Sequence, residues 1–195
     1  MDFLIISQSA GQGMLGSIVS ILLVTASGAI EGSVVGLLQW LVLRHPFPGI
    51  ARRTWVLATI IGAVVAWFFG SLPSTLIDIG AQQSGAVAQE PSAATVLLLA
   101  AGMGLMLGII LAYPQWRVLR RVVANAWWWI PANSVAWAFG MAIIFAAMDL
   151  AFAQATPAGS AAVIAAALLL AGAAVGAVHG LALVRLAYQP TANNT

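Results

Sequence analysis

The sequence predicts an all-α integral membrane protein, five transmembrane helices built from two and a half parallel helical-hairpin repeats, and two observations carry that expectation. The first is the solvent the composition asks for. Of 195 residues, 62% are hydrophobic and 6% are charged, a balance that a water-facing surface around a single core does not tolerate. The second is recurrence. The string Gln39-Trp40-Leu41-Val42-Leu43-Arg44 returns as Gln115-Trp116-Arg117-Val118-Leu119-Arg120, each time behind a glycine-rich apolar stretch. Duplicated helices bury equivalent faces, so the recurrence speaks for a repeated structural unit.

Crossing a hydrocarbon core takes about 20 helical residues. Five apolar stretches meet that length, roughly 15–44, 53–72, 93–120, 123–150 and 159–187, and they form one transmembrane domain over residues 1–195. The first, third and fifth run near 30 residues, so they must tilt or project into the interface. Between the second and third, residues 73–92 contain Pro73, Gln82, Gln83, Gln89, Glu90 and Pro91. That composition breaks helices and prefers water, and it predicts an external loop separating the two copies.

Charge orients the chain. All seven basic residues are arginines (Arg44, Arg52, Arg53, Arg117, Arg120, Arg121 and Arg185), placed between spans one and two, between three and four, or at the end of five. The positive-inside rule makes those ends cytoplasmic, with the N-terminus outside and the C-terminus inside. Asp2, Asp78 and Glu90 fall on the other side, and Asp149 close to it. Met1-Asp2-Phe3 lacks the positive region of a secretory leader, so the first segment is expected to be retained. Seven arginines at helix ends are no nucleic-acid footprint, which needs a basic face with many phosphate contacts. The chain has no cysteine, hence no disulfide and no thiolate metal site.

The repeat extends beyond the Gln-Trp strings. Gly28, Gly32 and Gly36 align with Gly104, Gly108 and Ala112, and the glutamine follows the last small residue by three in both copies. At about 100° per residue these positions share one helix face. A degenerate third copy is Gly172-x3-Gly176-x2-His179-Gly180, with histidine in the glutamine position and Arg185 at its end. Small residues every fourth position let helices approach closely in lipid; the alternative is a lipid tail or pigment lying in the groove. The even spans recur too: Trp55-Val56-Leu57-Ala58-Thr59 resembles Trp129-Ile130-Pro131-Ala132-Asn133, and Ala66-Trp67-Phe68-Phe69-Gly70 resembles Ala136-Trp137-Ala138-Phe139-Gly140 after a spacing change of about one turn. Copies two spans apart share an orientation, unlike the inverted repeats of many transporters.

Four polar residues inside the spans are the candidate sites: Glu31, Gln39, Gln115 and His179. Glu31 is the acid that falls within a span, some 19 Å along the helix from Arg44. It is compatible with a proton carrier or cation ligand, a buried or partner-facing hydrogen bond, or a shallower solvated position. The second copy has Leu107 in its place. Gln39 and Gln115 are expected to hydrogen-bond across helices or to touch a ligand. His179 fills the same slot, or ligates a haem or chlorophyll metal; His45, in a cytoplasmic turn, is not expected to share that metal.

Around these sites, Trp40, Trp116, Arg44, Arg120 and Arg185 are expected to act as interfacial anchors, and the run Trp127-Trp128-Trp129 likewise. Pro114 removes a backbone hydrogen bond within span three and predicts a kink. Leu43→Ala is expected to matter less than Gly36→Leu or Gly108→Leu. Scattered acids, unpaired histidines, and the lack of lysine, cysteine, a phosphate loop or a nucleophile motif predict no enzyme and no metal centre.

The string Gly-x3-Gly-x2-Gln-Trp-Leu-Val-Leu-Arg, the tryptophan-led helix after it, and the closing Gly-x3-Gly-x2-His-Gly-Leu-Ala-Leu-Val-Arg resemble a group of uncharacterised bacterial multi-pass membrane proteins, over roughly 28–70 and 104–187. The resemblance implies the inner membrane of a bacterium and no particular activity. In helix number and tryptophan content the chain is also similar to the tryptophan-rich sensory proteins of the translocator type, which bind porphyrins and cholesterol. Their Trp- and Pro-rich motifs are not reproduced here. The expected function is a non-catalytic accessory or structural subunit of a larger membrane complex, possessing glycine-lined grooves for lipid or pigment. The alternatives are a small transporter using Glu31 and a tetrapyrrole-binding protein using His179.

Overall fold

A computed structural model describes the backbone of residues 2–84 and 91–188, and the side chains of these except 2–14, 17, 78, 79 and 81–84. Asp2, Asp78 and Glu90, on which part of the charge asymmetry rests, therefore lie outside the described side chains. Five helices follow in order: α1 (Asp2–Leu43), α2 (Arg52–Ser84), α3 (Ala93–Leu119), α4 (Trp129–Phe152) and α5 (Pro157–Ala187), with a 3-10 turn at Ala126–Trp128 before α4. All five are long and apolar enough to cross a membrane. Leu98, Leu169 and Leu181 point outward at 75%, 76% and 74% exposure, a costly arrangement in water and a neutral one in lipid. The chain is a multi-pass membrane protein.

Helix ends follow from local sequence. Ser92 caps α3 by accepting from the Thr95 amide at 3.2 Å. Thr156 caps α5 by accepting from Gly159 at 3.1 Å, with Pro157 in the first turn, where a missing N–H costs nothing. Asn125, in the left-handed region at φ 53°, turns the chain into the 3-10 segment; asparagine is among the few side chains that tolerate this conformation.

Two boundaries differ from expectation. Helix α1 begins at Asp2 rather than near residue 15. Helix α2 runs through Pro73 to Ser84, so much of the stretch 73–92 expected as a loop is helical. The missing N–H of Pro73 deprives the Phe69 carbonyl of its helical donor, and the nearby hydroxyls bond elsewhere: Ser71 donates to the Phe68 carbonyl, and Ser74 and Thr75 both donate to the Ser71 carbonyl. Leu76 and Ile77 then extend the apolar surface by another turn.

The helices pack as an open row, α1 on α2, α2 on α3, α3 on α4 and α4 on α5, with the most extensive contacts inside the pairs α1–α2 and α3–α4. Among the described residues no backbone contact joins α1 to α5. Small residues set the closeness within the pairs. A Cβ on Gly32 would stand 2.7 Å from the Ile60 Cα, and one on Gly36 3.0 Å from the Thr59 Cβ. On α3, a Cβ on Gly108 would stand 2.6 Å from the Asn133 oxygen and the Ser134 Cα, and one on Gly104 would collide with the Trp137 carbonyl. Gly28 faces the Ala63 carbonyl as Gly104 faces that of Trp137. One constant register thus relates the two hairpins. Trp67 and Trp137, paired in the sequence by a one-turn shift, do not occupy equivalent places.

The arginine-bearing ends of all five helices come together. Leu43, Phe47, Ile50, Trp55, Ala112, Leu119, Ala126, Trp129 and Leu186 form one buried cluster there. Leu43, expected to matter less than the glycines, is fully buried in it, because the short turn 44–51 folds Phe47 and Ile50 back over the end of α1. Trp129, expected at the headgroup level, and Trp55 are 1% and 0% exposed and belong to this core.

Candidate functional site

Inside that end of the bundle lies a buried polar network centred on Gln115. Its side-chain nitrogen donates to the Gln39 carbonyl oxygen at 3.0 Å and to the Thr59 hydroxyl at 3.0 Å, while its oxygen accepts from the Trp129 indole N–H at 2.8 Å. One amide therefore ties α3 to α1, α2 and α4, and it bridges α1 and α3, whose backbones do not touch among the described residues. Thr59 in turn donates to the Trp55 carbonyl and Asn133 to the Trp129 carbonyl. Each of these bonds satisfies a group that hydrocarbon would leave without a partner.

The third slot residue joins by ring contact. His179 lies 4.9 Å from the Trp129 ring, tilted by 34°, and Trp129 in turn meets Trp55 edge-on at 6.0 Å. Gln115 and His179 thus both meet Trp129, and Gln39 reaches it through Gln115. The structure brings together Gln39, Gln115 and His179 and keeps Glu31 apart. Two buried nitrogens in this cluster, Trp55 Nε1 and His179 Nε2, have no hydrogen-bond partner. A metal-bound tetrapyrrole would have to reach that His179 nitrogen, which is closed off from the surface. Among the described residues no group of three His, Cys, Asp or Glu side chains is placed to hold a metal ion.

Glu31, half-buried on α1, accepts from the Trp67 indole N–H on α2. This bond spans the close α1–α2 contact at Gly28, where a Cβ would meet the Trp67 ring at 2.8 Å. Leu107, aligned with Glu31 in the sequence, instead lies in an apolar cluster with Leu111 and with Ala63 and Ala66 of α2.

Six of the seven arginines, all but Arg52, divide into two sets. Arg44 lies over Trp40 at 5.5 Å, Arg120 over Trp116 at 4.8 Å and Arg185 over Trp128 at 4.3 Å, so the residues expected as anchors form cation–π pairs. The Trp40 indole also donates to the Ile50 carbonyl, pinning the turn. The tryptophan run does not act as three equal anchors: Trp127 and Trp128 stack at 4.3 Å, and Trp129 turns inward. Arg53, Arg117 and Arg121 form the second set. They stand at one end of an apolar groove of about 910 Å³ between α2 and α3.

What the sequence misses here is the role of Trp55, Trp129, Thr59 and Asn133. Their alignment between the even spans is visible, but nothing in one sequence says that they face the glutamine slots. Compared with known proteins, the chain matches no family model, no curated protein and no solved structure.

Proposed function

We propose that this chain is a non-catalytic accessory or structural subunit of a larger membrane assembly, joined to its partner through α5. The observation that carries this reading is a contrast between like faces. The glycines of α1 and α3 lie against α2 and α4, whereas a Cβ added at Gly172, Gly176 or Gly180 would meet nothing within 4 Å. A small-residue face gains nothing against fluid lipid and much against a second helix.

The same contacts weigh against the other readings. Grooves on α1 and α3 have no room for lipid tail or pigment, since backbone already fills them. Glu31 is engaged by Trp67, which suits a hydrogen bond across helices worth about 0.6 kcal/mol better than a carrier that must repeatedly release cargo. We place the chain in a bacterial inner membrane with its arginine end in the cytoplasm, on the strength of the positive-inside rule.

The test is cross-linking in native membranes. A photoreactive residue at Gly176 should capture a discrete protein, identified by mass spectrometry, while one at Leu98 on α3 should give only lipid adducts. Lipid adducts at both positions would refute the subunit reading. An impermeant thiol reagent added outside should label a cysteine at Gln154 and spare one at His45; the reverse would invert the orientation.

A further inference from the structure

We propose that the groove between α2 and α3 is a binding site for an anionic phospholipid, its phosphate held by Arg53, Arg117 and Arg121 and one acyl chain laid along the apolar floor. The groove separates the two hairpins. It runs from Arg53 to Val65 on α2 and from Arg121 back to Ile109 on α3, a length of about 18 Å at the helical rise. That is somewhat more than one leaflet of a hydrocarbon core about 30 Å thick. A single acyl chain entering from the headgroup level therefore fits it end to end.

Its chemistry changes along that length as a phospholipid's does. Leu57, Ile61, Val65, Ile109 and Pro114 make an uncharged wall, and Leu57, Ile61 and Ile109 are 46%, 56% and 48% exposed, so the wall is open to an occupant. Arg53, Arg117 and Arg121 cluster at the mouth. The other anchoring arginines, Arg44, Arg120 and Arg185, are laid over tryptophans. The mouth arginines have neither an aromatic face nor an acidic partner among the described residues. Of the acids, Asp149 lies near the far end of α4 and Glu31 is held by Trp67 in the α1–α2 contact. Three guanidinium groups without a counterion ask for an anion of concentrated charge, and phosphate matches the guanidinium fork. A basic pocket between membrane helices is a recurrent site for such headgroups.

The groove also has a structural origin. α2 and α3 approach closely at Gly62, where a Cβ would stand 2.8 Å from the Leu111 carbonyl and 3.2 Å from the Pro114 ring. Beside that contact the two helices leave the channel, with Tyr113 and Val118 on its α3 edge.

The experiment uses the full chain purified in a neutral detergent and mixed with phosphatidylglycerol or phosphatidylcholine of equal chain length, with retained lipid counted by native mass spectrometry and thermal unfolding followed in parallel. The chain should retain phosphatidylglycerol at least tenfold more than phosphatidylcholine, and the preference should fall about five-fold for each of Arg53→Gln, Arg117→Gln and Arg121→Gln. Arg44→Gln should leave it unchanged. Ile61→Trp, which fills the floor while keeping every arginine, should lower retention without altering the melting temperature of the lipid-free chain; it decides the matter should the arginine variants fail to fold. Inorganic phosphate at millimolar concentration should neither raise the melting temperature nor displace the lipid. Equal retention of the two lipids, equal loss with Arg44→Gln, no effect of Ile61→Trp, or stabilisation by phosphate alone would overturn the proposal.

Discussion

Helices α3 and α5 carry the same small-residue spacing, and the fold treats them differently. On α3, Gly104 and Gly108 are pressed against the backbone of α4. On α5, Gly172, Gly176 and Gly180 face open space. A glycine stripe therefore records that a helix is built to be approached, while the neighbour that does so is set by the next helix in the chain. α1 and α3 are each succeeded by a tryptophan-led helix that fills the stripe. α5 has no such successor among the described residues, and its stripe stays uncovered.

The largest expected effect lies on the covered side of that comparison. Gly108→Leu or Gly104→Leu drives a branched side chain into backbone that cannot yield, and should destabilise the chain by about 3 kcal/mol or prevent its accumulation, since overpacking costs about 1–3 kcal/mol and occasionally more. Equilibrium unfolding in detergent measures it. A leucine at Gly108 that unfolds like the parent would show that the α3–α4 contact is looser than described.

Next comes Gln115, where the two hairpins meet. Gln115→Leu removes three hydrogen bonds at once and leaves the buried Trp129 N–H unpaired, for an expected loss of about 2 kcal/mol. Gln39→Leu removes one of these bonds from a half-buried position and should cost about 0.6 kcal/mol. Equal losses from the two substitutions would mean that the network is not centred on Gln115.

A smaller effect is expected at the pair that distinguishes the hairpins. Glu31→Leu and Trp67→Leu should each weaken the chain modestly, and a double-mutant cycle between them should return a coupling of about 0.6 kcal/mol. Additive losses would dissolve the Glu31–Trp67 bond as an energetic unit.

The sequence carries much of this architecture. Span length and composition are enough for the five helices, because lipid imposes one backbone solution on any long apolar segment. The Gln-Trp strings point to Gln39, Gln115 and His179 as equivalent slots, and these three do share one site. Which groups fill the space around them is not legible: Trp55 and Trp129 read as interfacial by chain position, yet the turns at 44–51 and 120–125 carry them into the core. Pro73 reads as a helix end because its missing N–H is visible, whereas the apolar surface that Leu76 and Ile77 add beyond it counts only once the helix continues. The arginine-mouthed groove is less legible still, since Arg53 and Arg117 belong to different hairpins and only packing makes them neighbours.

The most direct test of an α5-mediated assembly compares Gly176→Leu with Gly108→Leu in two readouts, unfolding of the purified chain and recovery of the intact assembly from native membranes. Gly176→Leu should leave the isolated chain within about 0.5 kcal/mol of the parent while the assembly is lost, and Gly108→Leu should destabilise the chain itself. Recovery of the intact assembly with Gly176→Leu, or destabilisation of the isolated chain by that substitution, would contradict a partner seated on the α5 stripe.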